Sequence, residues 1–214
     1  MSPVNKIIDF SEITVVVQGP IIGSCFDEPD NRHTKICLDS IRKYLPGAKI
    51  ILSTWENSDT KGLDYDFLIE NKDPGPSILA GGARNGFRQV VSSINGLKAV
   101  KTKYAIKMRS DLVLRSNNFL YYYLVYNSYF FEEKFKFVSE RVVMLTTCNP
   151  RRRYKFPYNA SDWFYFGLTS DLIKIFDIPL VREGVPIVDE NGEQRVVDVP
   201  YSNEQLIWFG FLSK

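Results

Sequence analysis

The sequence has a single histidine, three scattered cysteines and no long apolar run, and each scarcity narrows what the chain can be. One imidazole, His33, cannot build a His-rich zinc centre. A Ser-His-Asp hydrolase would have to depend on that residue alone, and no nucleophile elbow accompanies it. Cys25, Cys37 and Cys148 are far apart and odd in number, so they complete no disulfide framework and reduced thiols are expected. The apolar runs over 13–17 and 50–52 fall far short of the roughly 20 residues that a spanning helix needs. The first residues also lack the charged and apolar regions of a signal peptide. These features lead us to expect a cytoplasmic protein with no membrane insertion. With 27 basic and 25 acidic side chains the net charge is only +2, which offers no global attraction for nucleic acid.

The chemistry is therefore left to carboxylates, arginines and backbone. At 214 residues and 44% hydrophobic composition, the chain has the size of one α/β domain spanning 1–214. Its abrupt ending at Leu212-Ser213-Lys214 is what the N-terminal module of a longer polypeptide would show. Fifteen Phe and twelve Tyr suit a thick core and equally suit stacking on sugar rings and bases.

Periodicity orders the chain. A β-branched run over 13–17 stops at Gln18-Gly19-Pro20 and predicts a buried parallel strand. Helical spacing over 34–44, closed by Pro46-Gly47, precedes a second strand over 49–53, which makes a βαβ unit. A weaker strand is predicted over 67–70, a long helical segment within 78–99, and a strand over 104–109 ending at Ser110-Asp111. The aromatic run 119–131 reads as helix, 142–147 and 163–168 as strands, and 170–176 as a helix opened by a serine cap. Asn191-Gly192 marks a hairpin within 185–199, and a last helix begins near Ser202. The fold class is α/β with a mixed, mostly parallel central sheet flanked by helices.

Open sheets of this kind bind ligands beyond the carboxyl ends of their strands. The residues there are Gln18, Gly19 and Pro20; Thr54, Trp55 and Glu56; Asp73; and Arg109, Ser110 and Asp111. An aromatic face at Trp55 and a carboxylate at Glu56 suit a base and ribose hydroxyls, although Trp55 is equally suited to the core.

The order of Gly75-Pro76-Ser77, Gly82-Ala83-Arg84-Asn85-Gly86 and Lys107-Met108-Arg109-Ser110-Asp111 resembles the Gly-x-Ser, Ala-Arg-Asn-x-Gly and Asp-x-Asp elements of GT-A glycosyltransferases. With Gln18-Gly19-Pro20, Ser161-Asp162-Trp163 and Asn203-Glu204-Gln205, the chain is similar to WavE-type lipopolysaccharide-synthesis proteins and most closely to a chlorella-virus-encoded glycosyltransferase domain. The resemblance implies a GT-A (Rossmann-like) fold and a UDP-sugar donor, UDP-glucose or UDP-rhamnose. It also implies an oligosaccharide or glycoprotein glycan acceptor in surface or capsid glycan synthesis, in the host cytoplasm if the protein is viral. It implies Mn²⁺ or Mg²⁺ assistance through Asp111, and donor contacts from Arg84, Asn85 and the strand-end residues.

Arg109 stands where the Asp-x-Asp pattern has its first acid, so Asp111 is the motif's one carboxylate. An ion drawing most of its ligands from diphosphate and water can still be held by one or two carboxylates. Arg109 could instead present its fork to phosphate oxygens, with Arg84 as a second, or pair with a surface carboxylate. Inverting transfer needs a base for the acceptor proton, and Glu204 and Asp162 are the two candidates. Asp162 could alternatively hold donor hydroxyls. The run 151–155 is basic, and could close over the diphosphate or be a solvated loop; Tyr121-Tyr122-Tyr123 is too dense for one helix face, so some ring must be exposed. The alternative function is a non-catalytic nucleotide-sugar or carbohydrate-binding module of the same fold.

Overall fold

The computed structural model describes residues 7–23, 33–79, 82–129, 132–145, 160–180, 185–188, 191–197 and 202–214. Cys25, Cys148 and the basic run 151–155 lie outside them. Helix α1 (Thr34–Tyr44) lies between strands β1 (Ile13–Gln18) and β2 (Lys49–Trp55), and strand β3 (Phe67–Asn71) follows without an intervening helix. A small hairpin of β4 (Ser77–Leu79) and β5 (Gly82–Arg84) leads into α2 (Gly86–Lys98), and β6 (Tyr104–Arg109) follows. Next come α3 (Phe119–Asn127), β7 (Val143–Met144), β8 (Phe164–Leu168) and α4 (Thr169–Phe176). The hairpin β9 (Val185–Val188) and β10 (Gln194–Val197) and the helix α5 (Asn203–Leu212) complete the chain.

The main sheet has six strands in the order β3-β2-β1-β6-β8-β7. The first four are parallel, and β8 runs antiparallel between β6 and β7. The β-branched run of β1 is buried at all six positions, as a central strand covered on both faces must be. One face packs Val15, Val17, Ile50, Leu52 and Ile106 with Leu38 and Ile41 of α1 and Tyr123 of α3. The other packs Val16, Ile51 and Ala105 with α2, α4 and α5. This mixed, mostly parallel sheet between helices is a Rossmann-like arrangement.

Two departures from the sequence reading have simple causes. The segment within 78–99 is not helical from its start: residues 77–79 pair antiparallel with 82–84 as β4 and β5, and α2 begins at Gly86. Helix α4 begins at Thr169, with Leu168 rather than Ser170 at its N-cap and no side-chain cap bond. Helix α2 approaches the sheet closely because Gly96 has no side chain; an added Cβ would lie 2.4 Å from Val16 Cγ1 and 3.1 Å from Ser53 Cβ. In α3 the tyrosine triplet divides as its crowding requires, with Tyr123 buried and Tyr121 and Tyr122 exposed.

Candidate functional site

Because β1, β2, β3 and β6 are parallel, their carboxyl ends share one edge of the sheet. The chain turns one way from β1 to β2 and β3 and the other way to β6, so the crevice between β1 and β6 is the switch point of the topology. Gln18 and Arg109 are register partners at the two sides of that point. The cleft above it has a volume of about 740 Å³, large enough for a nucleotide-sized ligand.

Gln18, Gly19, Pro20, Trp55, Asp73, Arg84, Asn85, Arg109, Ser110, Asp111 and Asp162 all line it. Thr54 and Glu56 do not. Thr54 points to the α1 face, in a hydrogen bond with Ser58 Oγ, because side chains alternate along β2 and Trp55 takes the cleft side. Glu204 stands in the first turn of α5, and its neighbour Asn203 is the α5 residue in the lining. Arg88, Gln89 and Ile22 also line the cleft without having been singled out from sequence, as do Ala83 and Asn203, which were quoted only as members of their motifs. Arg88 and Gln89 follow Asn85 within one helical turn, so the 3.6-residue period was the available signal.

The floor is built by backbone. Gly19 has φ +121, a conformation glycine adopts without strain, and an added Cβ would stand 3.1 Å from Ser110 Oγ. Gly19 N donates to Ser53 O, Ser110 N donates to Gln18 O and Ser110 Oγ donates to Pro20 O, tying the ends of β1, β2 and β6 together. Beneath it Ser92 Oγ of α2 donates to Gln18 Oε1 at 2.6 Å. Asn71 Nδ2 donates to Ser53 Oγ, and Asn95 donates to Asn71 Oδ1.

Three arginines and three aspartates line the walls. Arg88 forks onto Asp73, with Nε to Oδ1 at 2.8 Å and Nη2 to Oδ2 at 2.7 Å. That bond, more than the Gly75 amide also donating to it, holds the Asp73 carboxyl below the usual carboxylate range. Arg109 forks onto Asp111 in the same way, at 2.9 and 2.5 Å, while its guanidinium lies 5.1 Å from the centre of the Trp163 ring. The partner of Arg109 is thus the carboxylate of its own motif. Asp162 differs: it is 4% exposed, and its Oδ1 is buried with no hydrogen-bond partner. Asp162 reaches this edge because β8 is antiparallel, so that preceding β8 means adjoining the carboxyl end of β6, where Met108 pairs with Phe164.

Among the described residues no group of three or more His, Cys, Asp or Glu is placed to hold a metal ion. A cation at Asp111 would share that carboxylate with the Arg109 fork or displace it, and would draw most of its ligands from diphosphate and water, which suits an ion that arrives with its nucleotide. Asp162 lines the same cleft, and its buried Oδ1, without a hydrogen-bond partner, is a further oxygen beside it.

Below the floor lies Lys107, a fully buried ammonium. It donates to the carbonyl of Asp162, which also accepts from Gln89 Nε2 at 3.0 Å. Burial lowers its pKa from 10.5 to about 8, against the pull of Asp162. Between these values the unfolded chain holds a proton that the native protein has released, so this group makes stability rise with pH across that window. The charged-lysine penalty applies in full below about pH 8 and is relieved towards pH 10.5. Relative to wild type, Lys107→Met is expected to lose roughly 3 kcal/mol of comparative stability from pH 8 to 10.5, since about 1.4 kcal/mol attaches to each pH unit of difference. Paired denaturant unfolding across that range checks this, and parallel curves would contradict it.

Fold and cleft together define a Rossmann-like α/β protein with a nucleotide-sized, arginine-lined crevice at its switch point. Residues 13–214 match the model of the WavE lipopolysaccharide synthesis family, and the chain belongs to that family. Membership places it in lipopolysaccharide or related glycan synthesis, in a glycosyltransferase-like role. No curated protein matches the chain. No helix among the described residues is long and apolar enough to cross a membrane.

Proposed function

We propose that the protein is a GT-A-type glycosyltransferase that transfers a sugar from a UDP-sugar, UDP-glucose or UDP-rhamnose, to a glycan acceptor in the cytoplasm. The observation that carries this reading is the gathering of Gln18, Arg84, Arg109, Asp111 and Asp162 around one switch-point cleft. Trp55 offers a face for the base. Arg84 makes no ion pair among the described residues and has its guanidinium available to the diphosphate. A bound Mn²⁺ or Mg²⁺ would neutralise charge developing on the leaving diphosphate. Asp111 is the residue to hold it, and Arg109, displaced from Asp111, would turn its fork to phosphate oxygens.

Asp162 is the better of the two candidate bases. A general base needs an available lone pair. Of the three cleft aspartates, Asp73 and Asp111 have both carboxylate oxygens engaged by arginine, while Asp162 keeps one without a partner. Glu204 would then assist from the start of α5.

Calorimetry of UDP with and without Mn²⁺ tests the binding half. UDP affinity is expected to rise with the ion, and Asp111→Ala is expected to lose most of that increment. Equal affinities in the unmodified protein would refute a metal at Asp111. The Arg109–Asp111 pair also favours a second reading, a non-catalytic binding module, in which arginine has permanently replaced the ion. That module would bind UDP without metal and turn over no donor.

A further inference from the structure

We propose that Lys107 is a positioning residue: from beneath the floor it holds the main chain of Asp162 so that the Asp162 carboxylate stands at the cleft wall. The inference rests on the reading of the cleft as a nucleotide-sugar site. Its starting point is an anomaly. Lys107 occupies an inward position of a central strand, on the same face as Ala105, where the other buried side chains of the sheet, apolar or polar, carry no charge. Its ammonium lies 5.7 and 5.2 Å from the ring centres of Tyr165 and Phe176. A methionine would fill similar space without a buried charge, so packing alone does not explain the residue.

The need it meets is local. The β6–β8 ladder runs from Tyr104–Leu168 to Met108–Phe164 and stops there. Beyond it, the bond from Arg109 N to Trp163 O reaches only the residue after Asp162. The carbonyl of Asp162 is instead gripped by two side chains, Lys107 and Gln89, one from the sheet and one from α2. The charges that Lys107 meets are Asp162 and Asp111, which attract it, and Arg109, which repels it. A charged donor makes the stronger hydrogen bond, and Lys107 reaches Asp162 from a strand fixed on both sides by ladders.

Two measurements on the full chain test this. Hydrogen exchange is independent of activity: Lys107→Met is expected to speed exchange at Asp162 and Trp163 by tenfold or more, with the β1–β6 ladder unchanged. Unchanged exchange at 162–163, or acceleration spread over the whole sheet, would overturn the proposal. Donor turnover is then compared in Lys107→Met, Asp162→Asn and the double variant. Lys107→Met is expected to lower kcat about tenfold while leaving UDP affinity within about threefold, and to add nothing in the Asp162→Asn background. Equal factors in both backgrounds, or a loss confined to UDP affinity, would mean that Lys107 acts on its own or on the diphosphate. If Lys107→Met does not fold, Gln89→Met removes the other grip on the same carbonyl and must show the same local exchange and the same non-additivity. A wild-type protein that turns over no donor would refute the reading of the cleft, while the exchange experiment would still decide the role of Lys107.

Discussion

Asp162→Asn is expected to lower turnover by two to four orders of magnitude, the range that a positioned general base contributes. Asparagine keeps the shape and the main-chain carbonyl that Lys107 and Gln89 hold, and it removes the basicity. The size of the effect follows from the state of the other cleft carboxylates. Asp73 and Asp111 are each forked by an arginine, so neither can replace a lost base without breaking a charged pair. Because a base acts in the transition state, UDP affinity should change little. Glu204→Gln is expected to cost much less, since Asn203 and not Glu204 is in the lining. A dead Glu204→Gln beside an active Asp162→Asn would reverse the two roles. Retention of configuration in the product would remove the need for a base on the acceptor side.

The second large effect concerns the diphosphate. Arg109→Ala is expected to weaken UDP by about a hundredfold and Arg84→Ala by about tenfold, on the scale of 1.5–3 kcal/mol for a hydrogen bond to a charged group. Uridine should be nearly unaffected by either, because a guanidinium fork recognises phosphate charge and not the base. Arg109 is the more costly because its loss has two parts. It removes a cation, and in the absence of metal it leaves the Asp111 carboxylate uncompensated where the diphosphate of the proposed donor would lie. Adding Mn²⁺ should therefore recover more affinity in Arg109→Ala than in Arg84→Ala. Equal losses for UDP and uridine in isothermal titrations would assign these arginines to the fold instead.

Much of the sheet was legible because buried parallel strands are written as near-continuous apolar runs. The residues of β1, β2 and β6 could be read this way, and each ended in polar residues at the edge that forms the cleft. The antiparallel course of β8 was not legible, since strand direction depends on where the chain returns. That direction determines whether Asp162 meets the cleft or the far end of the sheet. The β4–β5 hairpin was hidden for a different reason: three-residue strands carry too little periodicity to compete with the helical pattern that follows them. Side-chain pairing was the least accessible layer. The sequence placed Arg109 next to Asp111 but could not say whether the guanidinium faced phosphate, a surface acid or its own motif, because two-residue spacing permits all three. Lys107 was read within the same motif with no role of its own, since a lysine in an apolar strand reveals its burial only when the layers over it are known.

The proposed function requires that this cleft break the bond between a sugar and UDP. The measurement is the release of UDP from UDP-glucose and from UDP-rhamnose by the purified chain in the presence of Mn²⁺, with Asp162→Asn as the matched control. The expected result is UDP released from one of the two donors by the wild-type chain and none above background by the variant. Tight UDP binding with no release from either donor, or equal release by wild type and Asp162→Asn, would contradict it.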